Sequence, residues 1–429
     1  MKRRVVVGAL LTLGASLALA AGASASRSVL PSSSCGPVQY KGAGSPQVII
    51  ASDLPLQGAG RSQTVQMTKA VNYILGKHGY KAGKWTVGYQ SCDDATSQAG
   101  KWDSGKVAAN AQAYAADKTV VGVIGTFNSG AAAILIPVLN RAAGGPVAIV
   151  SPANTYVGLT HAGPGTAPGE PGKYYPTGKR NYIRVVAADD FQGAADAVLA
   201  QSLGKKSIYV LNDKEAYGLG VATNFKNAAT KLGLKIAGFE AWDPASTTYE
   251  PLATKIKRSG ADAVFIGGLV CDNGGKLVKD LNATLGSDVQ LIAPDGFTPI
   301  SAVVEGAGTA AEGLLVSVAG LPNSQLKGAG KAFIAGFGKV AGNEPDPYSV
   351  YAAQAAEVLI AAIARSDGSR GSISAQLFNT KVKNGLLGSF TINKNGDTSS
   401  NPVAIYKIKG GKSTDFKVIV PPVSLVAAA

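Results

Sequence analysis

A chain of 429 residues has room for two or three domain-sized units, and 46% hydrophobic with 16% charged residues is the balance of a globular protein with substantial cores. A net charge of +14 raises nucleic acid as a partner. The basic residues are scattered, however, as at Lys205-Lys206 and Lys255/Lys257/Arg258, with no Arg-rich or aromatic–basic stripe. That pattern argues against nucleic-acid binding and for solvated faces beside an anionic cell envelope.

Lys2, Arg3 and Arg4 precede an apolar run from Val5 to Leu19, and Ala23-Ser24-Ala25 fits an A-x-A cleavage site. Residues 1–25 therefore read as a secretory signal peptide, too short in its apolar core for a membrane anchor. The mature chain is expected to be exported, in the periplasm or on the outer face of the cell membrane. Residues 26–45, rich in Ser, Gly and Pro, read as flexible. Cys35 has no leucine three positions before it, which speaks against lipid attachment. In an oxidising compartment the three cysteines allow one disulfide and one free thiol. Cys35 and Cys92 both fall near the first unit and are the expected pair, leaving Cys271 free.

From Val48 the chain alternates strand and helix. Val48-Ile49-Ile50 is followed by a helix carrying Val65, Val71, Ile74 and Leu75, and Trp85–Tyr89 by a helix over 103–116. Val120–Ile124 ends in the small, polar loop 125–130 before a stripe of Ile134, Leu135, Val138 and Leu139. The strand over 146–150 ends in Ser151-Pro152-Ala153-Asn154-Thr155. Residues 161–181, with four prolines and five glycines, can form neither a long helix nor a central strand. They read as a surface excursion, either a flap near a site or inert decoration.

The alternation restarts with strands over 182–187, 207–211, 235–241 and 262–267, each followed by a helix, and a strand over 290–293 that ends at Pro294-Asp295-Gly296-Phe297. After a strand at 314–318 come helices around Phe333 and over 348–364. Two strands, 388–392 and 403–408, flank the turn 393–397. The order implies parallel sheets with right-handed crossovers in two Rossmann-like lobes. Ligands in such sheets bind beyond the carboxyl ends of the strands.

Catalytic signatures are missing. There is no G-x-S-x-G elbow, no phosphate-binding G-x-x-x-x-G-K-[ST] loop, no dinucleotide fingerprint after Val48-Ile49-Ile50, and no Cys/His cluster for zinc. His78 reads as a helix-end cation, and His161 lies in the excursion without a metal-ligand neighbour. No enzyme activity, cofactor or metal is expected. The strand-end loops offer binding groups instead. Asn128, Ser129 and Gly130 open a helix whose free amides suit a carboxylate. Asn154 and Thr155 add an amide and a hydroxyl, Asp295 can pair with an ammonium, and Tyr217 can close over a ligand.

On Pro55-Leu56-x-Gly58, the 125–130 loop, Ser151-Pro152 with Thr155, Asn212-Asp213-Lys214 with Tyr217-Gly218-x-Gly220, Pro294-Asp295-Gly296 and Ala311-Glu312-Gly313, the chain strongly resembles the type I periplasmic solute-binding proteins of branched-chain amino-acid ABC transporters, over roughly 46–410. The resemblance implies two lobes joined by a three-segment hinge, residues 46–185 with 316–397 and residues 188–314 with 400–420, closing on a ligand. It implies a small-molecule ligand, an amino acid first, and a membrane permease as partner to a monomeric receptor. The same scaffold also serves amides, urea and aromatic acids. It carries the α-carboxylate and part of the α-amino group onto Ser129, Gly130, Asn154 and Thr155, the ammonium onto Asp295, and a closing tyrosine onto Tyr217. The family's aromatic in the next loop falls at Leu269 or Val270, both aliphatic here. Other departures are Arg61-Ser62-Gln63 in place of a first-loop tyrosine, Asp295 for a glutamate, the added excursion, and Asn128 where a cysteine would partner one near Cys92.

Overall fold

The computed structural model describes residues 30–426, so the signal-peptide reading of residues 1–25 lies outside the described residues. Two open sheets form the frame. The first has six strands in the spatial order 81–82, 85–93, 48–54, 120–125, 148–151, 182–184, parallel except for the short first strand. The second has seven, in the order 235–241, 207–212, 263–267, 290–293, 315–318, 403–409, 412–419; among them 403–409 alone runs antiparallel to the others. Strands Val48–Leu54, Val120–Gly125 and Ala263–Gly267 are buried along their whole length, as parallel strands covered on both faces by helices must be.

The chain leaves the first sheet after Arg184 and leaves the second after Val318 for the helix Pro347–Ala364 in the first core; Gly396 still accepts from the Arg184 amide, at 2.9 Å, before the chain rejoins the second sheet at Val403. The strand Leu315–Val318 pairs in the second sheet, so the first-lobe boundary expected at residue 316 shifts to the residues after Val318. The two closing strands expected as a pair do not pair with each other. Gly388–Thr391 forms a hairpin with Lys381–Gly385, whereas Val403–Lys409 joins the second sheet between 315–318 and 412–419. The helix Pro347–Ala364 is long and apolar enough to cross a membrane, but it is mostly buried in the first-lobe core.

The segment read as flexible is tied down from its first described residue. Gln39 exchanges both backbone hydrogen bonds with Tyr89, at 2.7 and 3.0 Å, and Cys35 is disulfide-bonded to Cys92. Closing a loop of 57 residues contributes about 4 kcal/mol in the chain-entropy model. Reduction is therefore expected to lower the chemical-denaturation stability by that order, and a Cys35→Ser variant should be insensitive to reductant.

The excursion does not line the space between the lobes. It folds on itself around Glu170, whose carboxylate accepts from Tyr156 at 2.7 Å, Tyr174 at 2.6 Å and Lys173 at 2.9 Å. It then reaches the second lobe, where Asn224 donates to the Pro164 carbonyl at 3.1 Å. Gly165 lies so close to Gly220 that a Cβ on it would stand 3.0 Å from the Gly220 Cα.

His161, which looked isolated in sequence, sits by these passages between the sheets, 3.3 Å from Asp190 and 3.2 Å from Asp397. Asp397 also accepts from the fully buried Arg184 at 2.8 Å. Burial opposes charge on His161, but Asp190 and Asp397 outweigh it and raise its pKa to about 9. Burial likewise opposes charge on Asp397, and Arg184 and His161 bring it down to about 2.

Candidate ligand-binding cleft

The lobes meet over a cleft with an empty volume of about 350 Å³. From the first lobe, strand Val120–Gly125 delivers Asn128, Ser129 and Gly130 at the start of the helix Ser129–Asn140. The first amides of any helix lack intrahelical acceptors, and the macrodipole adds partial positive charge there. Asn128 precedes the helix without a side-chain capping bond, so those amides are left to other partners. The next strand delivers Ala153 and Thr155. The Ser129 hydroxyl accepts from the Tyr156 amide at 3.3 Å, which locks the two loops together.

Asn154 is not among the residues that line the cleft, and its Nδ2 donates to the carbonyls of Thr126 and Phe127, both at 2.9 Å. A buried amide between two strand-end loops satisfies their carbonyls rather than a ligand, so Asn154 braces the site without lining it.

From the second lobe come Tyr217, Leu269 and Asp295 with Gly296. Asp213 sets this side. Its carboxylate accepts from the Leu269 amide at 2.8 Å and the Glu215 amide at 2.9 Å, joining one strand-end loop to the start of the helix Ala216–Lys231. Gly218 and Gly268 leave the room; a Cβ on either would stand within 2.5 Å of the Asp213 carboxylate. Tyr217 donates to Asp295 Oδ1 at 2.6 Å and accepts from the Gly296 amide at 2.9 Å. Tyr348, which opens the first-lobe helix Pro347–Ala364, donates to Asp295 Oδ2 at 2.6 Å. Asp295 is thus held by one tyrosine from each lobe, and the lobes are closed.

Burial pushes the Asp295 carboxyl up, against the lowering effect of Tyr217 and Tyr348. Burial also raises Asp189, whose carboxylate oxygens have no hydrogen-bond partner among the described residues, and the charge of Asp295 adds to the rise. A buried acid whose charge is disfavoured by its surroundings makes the Asp295 side of the cleft receptive to a cation.

Sequence reasoning missed Trp102, Phe127, Glu215 and Tyr348. The first three line the cleft and the last completes its acid. Trp102 comes from a small hairpin, Ala95–Thr96 with Lys101–Trp102, which packs over Gly130; a Cβ there would stand 2.7 Å from the indole ring. The neighbouring Lys101 crosses the gap to Glu215, at 3.1 Å, and to Asp272. Burial works against its charge, but Asp272 and then Glu215 outweigh burial and hold the ammonium charged. This ion cluster exists only while the lobes are together. Lys101→Met is expected to speed ligand dissociation about fivefold and to flatten its salt dependence, read by stopped-flow fluorescence.

A hinged pair of Rossmann-like lobes with a polar cleft between them defines a solute-binding protein. Residues 50–413 match the family model described as "Periplasmic binding protein". The chain belongs to that family. It is 28% identical over 320 residues to a Leu/Ile/Val-binding protein homolog of Brucella melitensis, covering 73% of this chain and 79% of that one. It is 27% identical over 232 residues to an amino acid binding protein of Pseudomonas aeruginosa, covering 54% of this chain and 61% of that one. In fold it is similar to a leucine-binding protein of Thermotoga maritima, with a TM-score of 0.75, 23% identity, and 88% and 99% of the two chains covered. It is also similar to a solute-binding protein of R. palustris solved with benzoate, with a TM-score of 0.71, 19% identity, and coverage of 89% and 97%.

Proposed function

We propose that this protein is the extracytoplasmic receptor of an ABC importer, capturing a branched-chain or related amino acid and presenting it to a membrane permease as a monomer. One observation carries the reading. The cleft brings an anion-binding helix start, at Ser129 and Gly130, and a buried acid, Asp295, into one lining with the apolar Phe127, Ala153 and Leu269. That is the polarity of a zwitterion with an aliphatic side chain. Ser129, Gly130 and Thr155 take the carboxylate, Asp295 takes the ammonium, and Tyr217 and Trp102 close over it. The relatives named for leucine, isoleucine and valine support the ligand class.

The reading includes an exported protein that binds without turnover, and lobes that divide at a three-segment hinge. The first lobe offers its loops while open, and the second-lobe contacts form on closure, so ligand shifts the equilibrium by its greater affinity for the closed state. An aromatic acid, the ligand of the R. palustris neighbour, would suit Trp102 and Phe127 but would bring nothing for Asp295. Mass spectrometry of small molecules released on denaturing natively purified protein tests the proposal. An aliphatic amino acid is expected; recovery of an aromatic acid or a sugar contradicts it.

A further inference from the structure

A second cavity, with an empty volume of about 670 Å³, lies on the flank of the first lobe and shares no residue with the cleft. It opens between the helices Gly328–Ala341 and Pro347–Ala364 and the hairpin of Lys381–Gly385 with Gly388–Thr391. Gln354, Val358 and Ala361 recur along one face of the longer helix, and Arg365 follows at the same spacing just past its end. Val382 and Leu386 face them from the hairpin side. Gly385 lets the hairpin sit this close, since a Cβ there would stand 2.6 Å from Gln354 Oε1.

The polar groups are those of an incomplete site. Gln354 is 2% exposed; its Oε1 accepts from the Leu387 amide at 3.3 Å, while its Nε2 donates to nothing among the described residues. Thr380 is 4% exposed, and its hydroxyl has no partner among the described residues. Buried polar groups are nearly always paired, so the Thr380 hydroxyl leaves the polar complement of this lining incomplete, and the Gln354 amide nitrogen beside it is free to donate. The charges choose its sign. Lys381 is exposed and forms no ion pair among the described residues, and Arg365 reaches only Gln376, at 3.3 and 3.4 Å. The one acid, Glu357, is taken by His78 at 2.8 Å. The lining is donor-rich and net positive.

We propose that this cavity is a second ligand site, for a compact monocarboxylic acid. The carboxylate faces Lys381 and Arg365, Gln354 and Thr380 supply further donors, and the apolar body lies on Val358, Ala361 and Leu386. The inference is independent of what fills the cleft.

Calorimetric titration of the full chain with 4-methylpentanoate and with its neutral amide tests it, alone and in saturating leucine. The acid is expected to bind at least about tenfold more tightly than the amide, to bind equally with leucine present, and to lose at least about tenfold in Lys381→Glu. Ala361→Phe, which fills the cavity, is expected to remove binding without changing the leucine titration. Undetectable binding of the acid, its displacement by leucine, or unchanged binding in Lys381→Glu would overturn the proposal. The two variants decide the question even if leucine proves not to bind the cleft.

Discussion

Asp295→Ala is expected to weaken binding of a branched-chain amino acid at least tenfold, a loss of about 1.5–3 kcal/mol, while the chain stays folded. The carboxylate is buried, shared by Tyr217 and Tyr348, and raised by its surroundings, so an arriving ammonium relieves an unfavourable charge. Asp295→Asn separates the two jobs of this residue. It keeps an acceptor for the tyrosines and removes the charge, so it should bind nearly as poorly as Asp295→Ala. Wild-type affinity in Asp295→Asn would remove the ammonium assignment. With the carboxyl's pKa raised, affinity should also fall in mildly acidic solution, where protonation removes the charge before an ordinary carboxyl would lose it.

Asp397→Ala is expected to cost about 3–5 kcal/mol in chemical denaturation, the largest stability loss of any single hinge substitution. It leaves Arg184, which has no exposure, without its carboxylate partner, and leaves His161 with Asp190 as its one acidic partner among the described residues. The pH dependence has two arms. Asp397 is lowered from 3.8 to about 2, so its contribution is complete above 3.8 and disappears as pH falls through 2. His161 is raised from 6.5 to about 9, so its contribution is complete below 6.5 and disappears as pH rises through 9. Stability from this cluster should therefore be flat between those limits. The alkaline decline, on the order of 2 kcal/mol in the wild type, should shrink in Asp397→Ala. An unchanged alkaline arm would show that His161 draws its charge from Asp190 instead.

The parallel strands were legible because burial on both faces writes them as short apolar runs, and the loops at their ends followed from topology. The exposed strands were not. Lys381–Gly385 and Lys412–Ile419 carry lysines and polar residues on open edges, so periodicity is silent there. The helix Arg370–Leu377 was also missed, since it is short and marks its buried face with only Ile373 and Leu377 beside a buried arginine. Arg370 donates to the carbonyls of Val120, Tyr114 and Ala115, among others, which no local pattern announces.

The same division runs through the cleft. Ser129, Gly130, Thr155, Tyr217 and Asp295 follow strands directly and line it together with Asn128 and Leu269. Tyr348 arrives at the head of a helix far along the chain, and Trp102 on an inserted hairpin, so no strand end announces either of them. Asn154 reads as a ligand group by residue type, yet the carbonyls beneath it claim its amide first.

Calorimetric titration of leucine beside its deaminated acid and its decarboxylated amine tests the zwitterion cleft most directly. Saturable one-to-one binding of leucine, with both truncated compounds at least about tenfold weaker, is the expected result. Binding of the deaminated acid at the cleft as tight as leucine, or no binding of leucine, isoleucine or valine, would contradict it.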